Sequence, residues 1–166
     1  MALFNPIMQE SLDANMPYID VFLSYAHKDN HYRKQVQKAL EKRGLSVWAV
    51  DPADLDPRLA DDPELRHIRT TAGEFLRATD QRYDLVVNDM RMDPVLSCRL
   101  MGDAAAVLPA GGLAVVTLKL GSGQPIRIVR DCLNLLAPHY DLEFARQLHH
   151  NRHEVTVVAR RRAARR

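Results

Sequence analysis

Short apolar runs alternate with segments of helical period along most of this 166-residue chain. The apolar runs are rich in β-branched and aromatic residues and are bounded by turn residues, which is typical of strands. Strands are predicted at 18–25, 45–50, near 66–70, 83–89, 112–120, 140–150 and 153–160. Helices are predicted at 31–44, 57–69, 73–79, 94–108 and 126–138. Because parallel strands need long crossover connections, this order predicts a mostly parallel sheet covered by helices on both faces.

The last two predicted strands are joined by the short segment Asn151-Arg152. They are therefore expected to pair antiparallel and to add an antiparallel strand at the edge of the sheet. The chain shows no internal repeat and no linker. We expect a loose leader over 1–17, a single domain over 18–160 and a basic tail over 161–166.

Composition and charge narrow the function classes. No apolar run reaches the length of a membrane span, and the first residues lack the pattern of a signal peptide. Cys98 and Cys132 are isolated and neither has a CxxC partner, which indicates buried thiols in a reducing compartment and favours a cytoplasmic protein. The net charge is only +2, but the segment RRRAARR at 160–166 is strongly basic. Such a tail suits an RNA phosphate backbone, and a solvated, disordered end is the alternative.

The stretch LSVWAVD at 45–51 places a carboxylate at the tip of an apolar strand. In open α/β sheets an acid at that position commonly binds the ribose hydroxyls of a nucleoside cofactor. The alternative is structural, since Asp51-Pro52 also fits a helix N-cap or a turn.

Three motifs carry a resemblance to a known family. They are YDLVVNDMRMDP at 83–94, GGLAVVTLKL at 111–120 and ARQLHHNRHEVTVVARR at 145–161. Over residues 45–161 the chain resembles the FtsJ-like ribose 2′-O-methyltransferases, in particular the branch that modifies bacterial large-subunit ribosomal RNA. The resemblance implies a Rossmann-like methyltransferase fold with seven strands, mostly parallel, and a C-terminal antiparallel hairpin strand. It also implies S-adenosyl-L-methionine as the cofactor and RNA, ribosomal in this branch, as the partner.

The catalytic residues of that family fall on Asp89, Lys119 and Glu154. A ribose 2′-hydroxyl is a poor nucleophile, and an ammonium beside it favours the alkoxide. The two carboxylates would keep the ammonium oriented and charged. Structural roles are the alternatives: a helix-capping acid for Asp89, a snorkelling edge residue for Lys119 and a solvated hairpin residue for Glu154.

The resemblance assigns the cofactor to the ends of the first two strands. It implies that Asp51 binds the cofactor ribose, with Trp48 and Pro52 flanking the adenosine and Ser24 at the end of the first strand. Core packing is the alternative for Trp48.

Arginines near the C-terminus are the predicted RNA contacts: Arg152, Arg160, Arg161 and Arg162. No metal is expected. His149, His150 and His153 lack the usual ligand spacing and are interpreted as polar residues near an RNA-facing loop.

The N-terminal quarter departs from the family. The family's first strand ends in a glycine-rich loop, whereas this chain has no glycine from 17 to 43. The family's first catalytic lysine has no aligned counterpart, and Lys28 is the nearest candidate. Residues 18–55 also resemble the start of a TIR domain, without its catalytic Glu. Two other functions therefore remain open: a cofactor-impaired RNA- or protein-binding module, and a TIR-like nucleotide-binding or signalling module.

Overall fold

The computed structural model describes residues 46–54, 65–121, 124–147 and 153–163, together with the backbone of 20–25. The strands are β1 (Asp20–Tyr25), β2 (Ser46–Val50), β3 (Leu65–Ile68), β4 (Leu85–Asp89), β5 (Leu113–Lys119), β6 (Tyr140–Arg146) and β7 (Glu154–Arg161). The α-helices within the described residues are α1 (Ala72–Ala78), α2 (Pro94–Ala104) and α3 (Pro125–Leu136). The predicted helix 94–108 ends at Ala104 and continues as a 3₁₀ turn over Ala105–Val107.

The strands form one mixed sheet in the order β3-β2-β1-β4-β5-β7-β6. The pairings among β1 to β5 are parallel, and β7 is antiparallel to both β5 and β6. The predicted antiparallel pairing of the last two strands is confirmed, but the prediction that the antiparallel strand lies at the edge of the sheet was wrong. The antiparallel strand β7 lies inside the sheet, because it pairs along the whole of β5 and leaves β6 at the edge.

Apolar side chains of the strands divide between the two faces of the sheet, as strand alternation requires. On the first face, Val86 and Val116 belong to a large buried cluster that includes Cys98 of α2 and Cys132 of α3. The three described helices contribute to this cluster and cover that face. The second face carries a smaller cluster that includes Val47, Leu85, Leu113 and Val158.

Several predicted features lie outside the described residues. They are the whole leader 1–17, the helix at 31–44, the N-terminal part of the helix at 57–69 and the turn Asn151-Arg152. The strand predicted near 66–70 is confirmed as β3 (Leu65–Ile68), which pairs parallel to β2, and the predicted helix 57–69 was wrong where it overlaps this strand. A search of the described helices for one that is long and apolar enough to span a membrane finds none.

Candidate active site

Lys119, the last residue of β5, lies between two carboxylates. Its Nζ is 2.7 Å from Oδ1 of Asp89 and 3.0 Å from Oε1 of Glu154. The lysine side chain is 16% exposed, against 37% for Asp89 and 28% for Glu154. The structure therefore brings together the three residues that the family resemblance assigns to one catalytic set.

Strand register explains this convergence. Asp89 is the last residue of β4, which runs parallel to β5, so the ends of both strands lie at the carboxyl edge of the sheet. Glu154 begins β7 and pairs directly with Lys119. Since side chains alternate along a strand, Asp89 shares the second face with Leu85, and Lys119 shares it with Leu113. Crevices at such carboxyl edges are where open α/β sheets bind their ligands.

The electrostatics of the cluster keep the lysine charged. Burial alone would lower the pKa of the Lys119 ammonium, but hydrogen bonds and charges from Asp89 and Glu154 outweigh it. The net effect is a pKa above the usual 10.5. Lys119 is therefore an ammonium at neutral pH, suited to stabilise a developing negative charge rather than to act as a base.

The structural alternatives predicted for Asp89 and Lys119 do not describe what the structure shows. Helix α2 is capped by Asp93, whose Oδ1 accepts from the N–H groups of Val95 at 2.9 Å and Leu96 at 3.1 Å, so Asp89 is not its cap. Lys119 sits on an interior strand between β4 and β7.

Sequence reasoning missed Asn88, which is 1% exposed. Its Nδ2 donates to Oγ of Ser97 in α2 at 3.0 Å, and its Oδ1 accepts from the N–H of Met90 at 3.1 Å. These bonds hold the backbone after Asp89 and tie the end of β4 to α2. The signal available in the sequence was an amide at the end of an otherwise apolar strand.

Asp51 follows β2 at the carboxyl edge and is 8% exposed. Its Oδ1 accepts from the N–H of Ala53 at 2.8 Å, which is the geometry of an Asx turn. The backbone N–H of Asp51 donates to the carbonyl of Ile68 in β3 at 3.3 Å. The turn role predicted as the alternative is thus present, and the carboxylate lies at the edge of the sheet that a nucleoside cofactor would occupy.

The other predicted cofactor residues are placed as follows. Trp48 is 6% exposed and packs edge-on against Tyr83 with ring centroids 5.5 Å apart. Its indole is a core group, and only the resemblance puts it beside an adenosine. Pro52 is exposed next to Asp51. Ser24 is described by its backbone alone, which pairs with Asn88.

The predicted RNA-binding arginines at the C-terminal end of β7 and just after it do not reach this site. Arg160 pairs with Leu113 at the opposite end of β5 and forms an ion pair with Glu143. Arg161 donates to the carbonyl of Ala105 at 2.8 Å. Arg162 forms an ion pair with Asp141 at 2.7 Å. Because β7 runs away from the site, these guanidinium groups lie at the opposite edge of the sheet, where they form structural contacts. Arg152 lies outside the described residues.

Among the described residues there is no group of three or more His, Cys, Asp or Glu side chains that could hold a metal ion. Of the three histidines in the motif at 145–161, only His153 is described, and its carbonyl accepts from the N–H of Leu120 at 2.8 Å.

No protein-family model matches the sequence. The chain is 39% identical over 126 residues to ribosomal RNA large subunit methyltransferase M of Halorhodospira halophila, a match covering 76% of this chain and 36% of the relative. The chain is related to these ribosomal RNA methyltransferases. The protein of the same name from Methylococcus capsulatus is 35% identical over 124 residues, covering 70% of this chain and 34% of the relative. The chain spans about a third of the length of the curated relatives it matches. These matches confirm the methyltransferase resemblance inferred from the three motifs.

Solved structures support the same fold. The Methanococcus jannaschii fibrillarin pre-rRNA processing protein superposes with a TM-score of 0.69 at 16% identity, covering 90% of this chain and 70% of that chain. The 16S rRNA methyltransferase KamB superposes with a TM-score of 0.64 at 16% identity, covering 98% and 96%. At these identities the likeness establishes the Rossmann-like methyltransferase fold alone.

Proposed function

We propose that this chain carries the catalytic domain of an S-adenosyl-L-methionine-dependent methyltransferase that modifies a ribose 2′-hydroxyl of ribosomal RNA. The observation that carries the proposal is the Lys119 ammonium held between Asp89 and Glu154 at the carboxyl edge of the sheet. The names of the related proteins support ribosomal RNA as the substrate.

The described residues fit the cofactor. The Asp51 carboxylate lies at the end of β2, where it can accept hydrogen bonds from the two ribose hydroxyls of a nucleoside. The same carboxylate is preorganised by its bond to the N–H of Ala53. When bound, S-adenosyl-L-methionine supplies an already activated methyl group, so the protein has only to position and deprotonate the acceptor.

In the proposed mechanism the Lys119 ammonium donates a hydrogen bond to the attacking ribose oxygen and stabilises the negative charge that develops there. Asp89 and Glu154 fix the direction of the ammonium and keep it protonated. The hydroxyl proton leaves to solvent or to one of the partly exposed carboxylates as the oxygen attacks. Positioning of the oxygen in line with the methyl group supplies the rest of the rate enhancement.

Methyl transfer to ribosomal RNA tests the proposal directly. The full chain is incubated with isotopically labelled S-adenosyl-L-methionine and unmodified large-subunit RNA, and digested nucleosides are analysed for 2′-O-methylation. Lys119→Met is expected to lower kcat by about 10²–10³-fold, the usual loss when one preorganised donor is removed. Arg162→Gln at the opposite edge is the control and should retain the rate. Methylation on a base, or full activity of Lys119→Met, would refute the proposed reaction.

A second candidate keeps the fold without the reaction. The absence of glycine from 17 to 43 favours a domain that binds RNA or protein and has little cofactor affinity. Calorimetric titration separates the alternatives. Binding of S-adenosylhomocysteine supports the enzyme, binding of NAD supports the TIR-like module, and binding of neither supports the cofactor-impaired module.

We also propose a cytoplasmic location. Cys98 and Cys132 are both buried free thiols, which suits a reducing compartment.

A further inference from the structure

Arg146, the last residue of β6, lies at the same edge of the sheet as the Lys119 cluster. Strands β5 and β6 are both antiparallel to β7, so they run in the same direction and end at the same edge. Arg146 is exposed. It was not among the RNA-binding residues predicted from sequence, of which the described ones, Arg160, Arg161 and Arg162, lie at the far end of β7.

Register also places Arg146 on the same face as the cluster. Arg146 pairs with Thr156, and Lys119 pairs with Glu154. Glu154 and Thr156 are two residues apart in β7 and therefore point to the same face. One strand spacing and one two-residue step separate the Cα atoms of Glu154 and Arg146 by about 8 Å. Arg146 is thus an immediate neighbour of the proposed catalytic cluster.

Arg91 lies on the other side of the cluster. It is exposed and follows Asp89 by two residues, in the bend after β4. Strands β4 and β6 flank β5 and β7, so the strand ends beside the two arginines lie on either side of Lys119, three strand spacings or about 14 Å apart. In the described part of the chain neither arginine forms an ion pair, whereas Arg160 and Arg162 each bind a carboxylate.

We propose that Arg91 and Arg146 bind the phosphates on either side of the target ribose and align RNA across the carboxyl edge of the sheet. This inference rests on the proposed function in one respect, that the partner is RNA. A ribose within an RNA chain has a phosphodiester group on each side, and a guanidinium matches phosphate oxygens in geometry and charge. The guanidinium of Arg146 is 5.7 Å from the Phe144 ring centre, so an aromatic surface lies beside the cation.

The salt dependence of RNA binding tests this surface. The probe is a fluorescein-labelled single-stranded RNA of mixed sequence, and its affinity for the full chain is measured by anisotropy over a range of KCl concentrations. Each phosphate contact in single-stranded RNA contributes about −0.7 to the slope of log K against log salt. Arg91→Gln and Arg146→Gln are each expected to make the slope shallower by about 0.7. The double variant should lose both contributions.

Matched controls keep the outcome clear. Arg162→Gln removes the same charge at the opposite edge and should leave the slope unchanged, while Arg146→Lys should retain most of it. Fluorescence of Trp48 checks that each variant is folded. An unchanged slope for Arg91→Gln and Arg146→Gln, an equal change for Arg162→Gln, or no RNA binding by the unmodified chain would overturn the proposal. Binding that depends on Arg91 and Arg146 without methyl transfer would refute the reaction and leave the surface standing.

Discussion

The buried pair Asn88–Ser97 supports the strand end that presents Asp89, and replacing Asn88 with Leu tests its contribution. Leucine is similar in size but cannot form either hydrogen bond of the amide. The hydroxyl of Ser97, itself 1% exposed, then loses its partner in the core. The N–H of Met90, which is partly buried, also loses its acceptor.

The cost follows from these two groups. A buried polar group left without a partner costs about 1–3 kcal/mol, and the partly exposed N–H of Met90 lies near the lower end. We expect Asn88→Leu to lower the free energy of unfolding by about 2–4 kcal/mol. With a urea m-value of about 2 kcal/mol/M, the midpoint moves down by roughly 1–2 M.

Urea unfolding followed by tryptophan fluorescence measures this change. Trp48 is the single tryptophan of the chain and is buried in the core, so its emission reports core opening. The matched variant is Ser97→Ala in the Asn88→Leu background, which removes the orphaned hydroxyl. The double variant is expected to be more stable than Asn88→Leu alone by about 1–2 kcal/mol.

The direction in which Ser97→Ala changes the stability of the Asn88→Leu protein shows whether the two side chains are coupled. If Ser97→Ala destabilises the Asn88→Leu protein further, the two side chains are not a coupled buried pair and the reasoning fails. Asn88→Leu alone should also lower kcat for methyl transfer more than it changes KM, because it displaces Asp89 rather than a substrate contact. An unchanged kcat in a folded Asn88→Leu protein would show that Asp89 is positioned by other contacts.

Three further predictions concern single side chains. Because the pKa of Lys119 is raised in the folded state, its stabilising contribution is complete below pH 10.5 and is lost as the pH rises through the folded-state pKa. The stability difference between wild type and Lys119→Met, measured by urea titration, should therefore shrink above pH 10.5 and not below it. S-adenosyl-L-methionine should bind with a Kd no tighter than high micromolar in calorimetry, because the chain has no glycine from 17 to 43, and a low-micromolar Kd would contradict this expectation. Asp51→Ala should weaken this binding at least about tenfold, because charge-assisted hydrogen bonds to the cofactor are lost. Arg161→Leu should lower the thermal midpoint by leaving the carbonyl of Ala105 without this donor, at a cost of about 1–3 kcal/mol, whereas the carbonyl of His139 keeps the backbone N–H of Arg162. An unchanged midpoint would show that water replaces the guanidinium at Ala105.

Much of the fold and of the candidate site could be predicted from the sequence alone. Runs of apolar residues identify β4 and β5 from the sequence, because strands inside a parallel sheet are buried on both faces and are apolar along most of their length. Parallel strands then carry Asp89 and Lys119 to one edge, since both residues end their strands. The Asp-Pro after β2 likewise predicts a turn from local chemistry, and the Asx-turn bond of Asp51 is present.

The arrangement of β6 and β7 was decided by tertiary structure. A hairpin pattern predicts that the two strands pair, but it does not say which of them joins β5. Because β7 takes that place, Glu154 at its start meets Lys119, and Arg160–Arg162 at its end are carried to the opposite edge. Adjacent basic residues in the sequence indicate an RNA contact, whereas strand direction determines which end of the sheet they reach. Because β6 runs antiparallel to β7, its last residue, Arg146, lies at the edge of the sheet that holds Lys119.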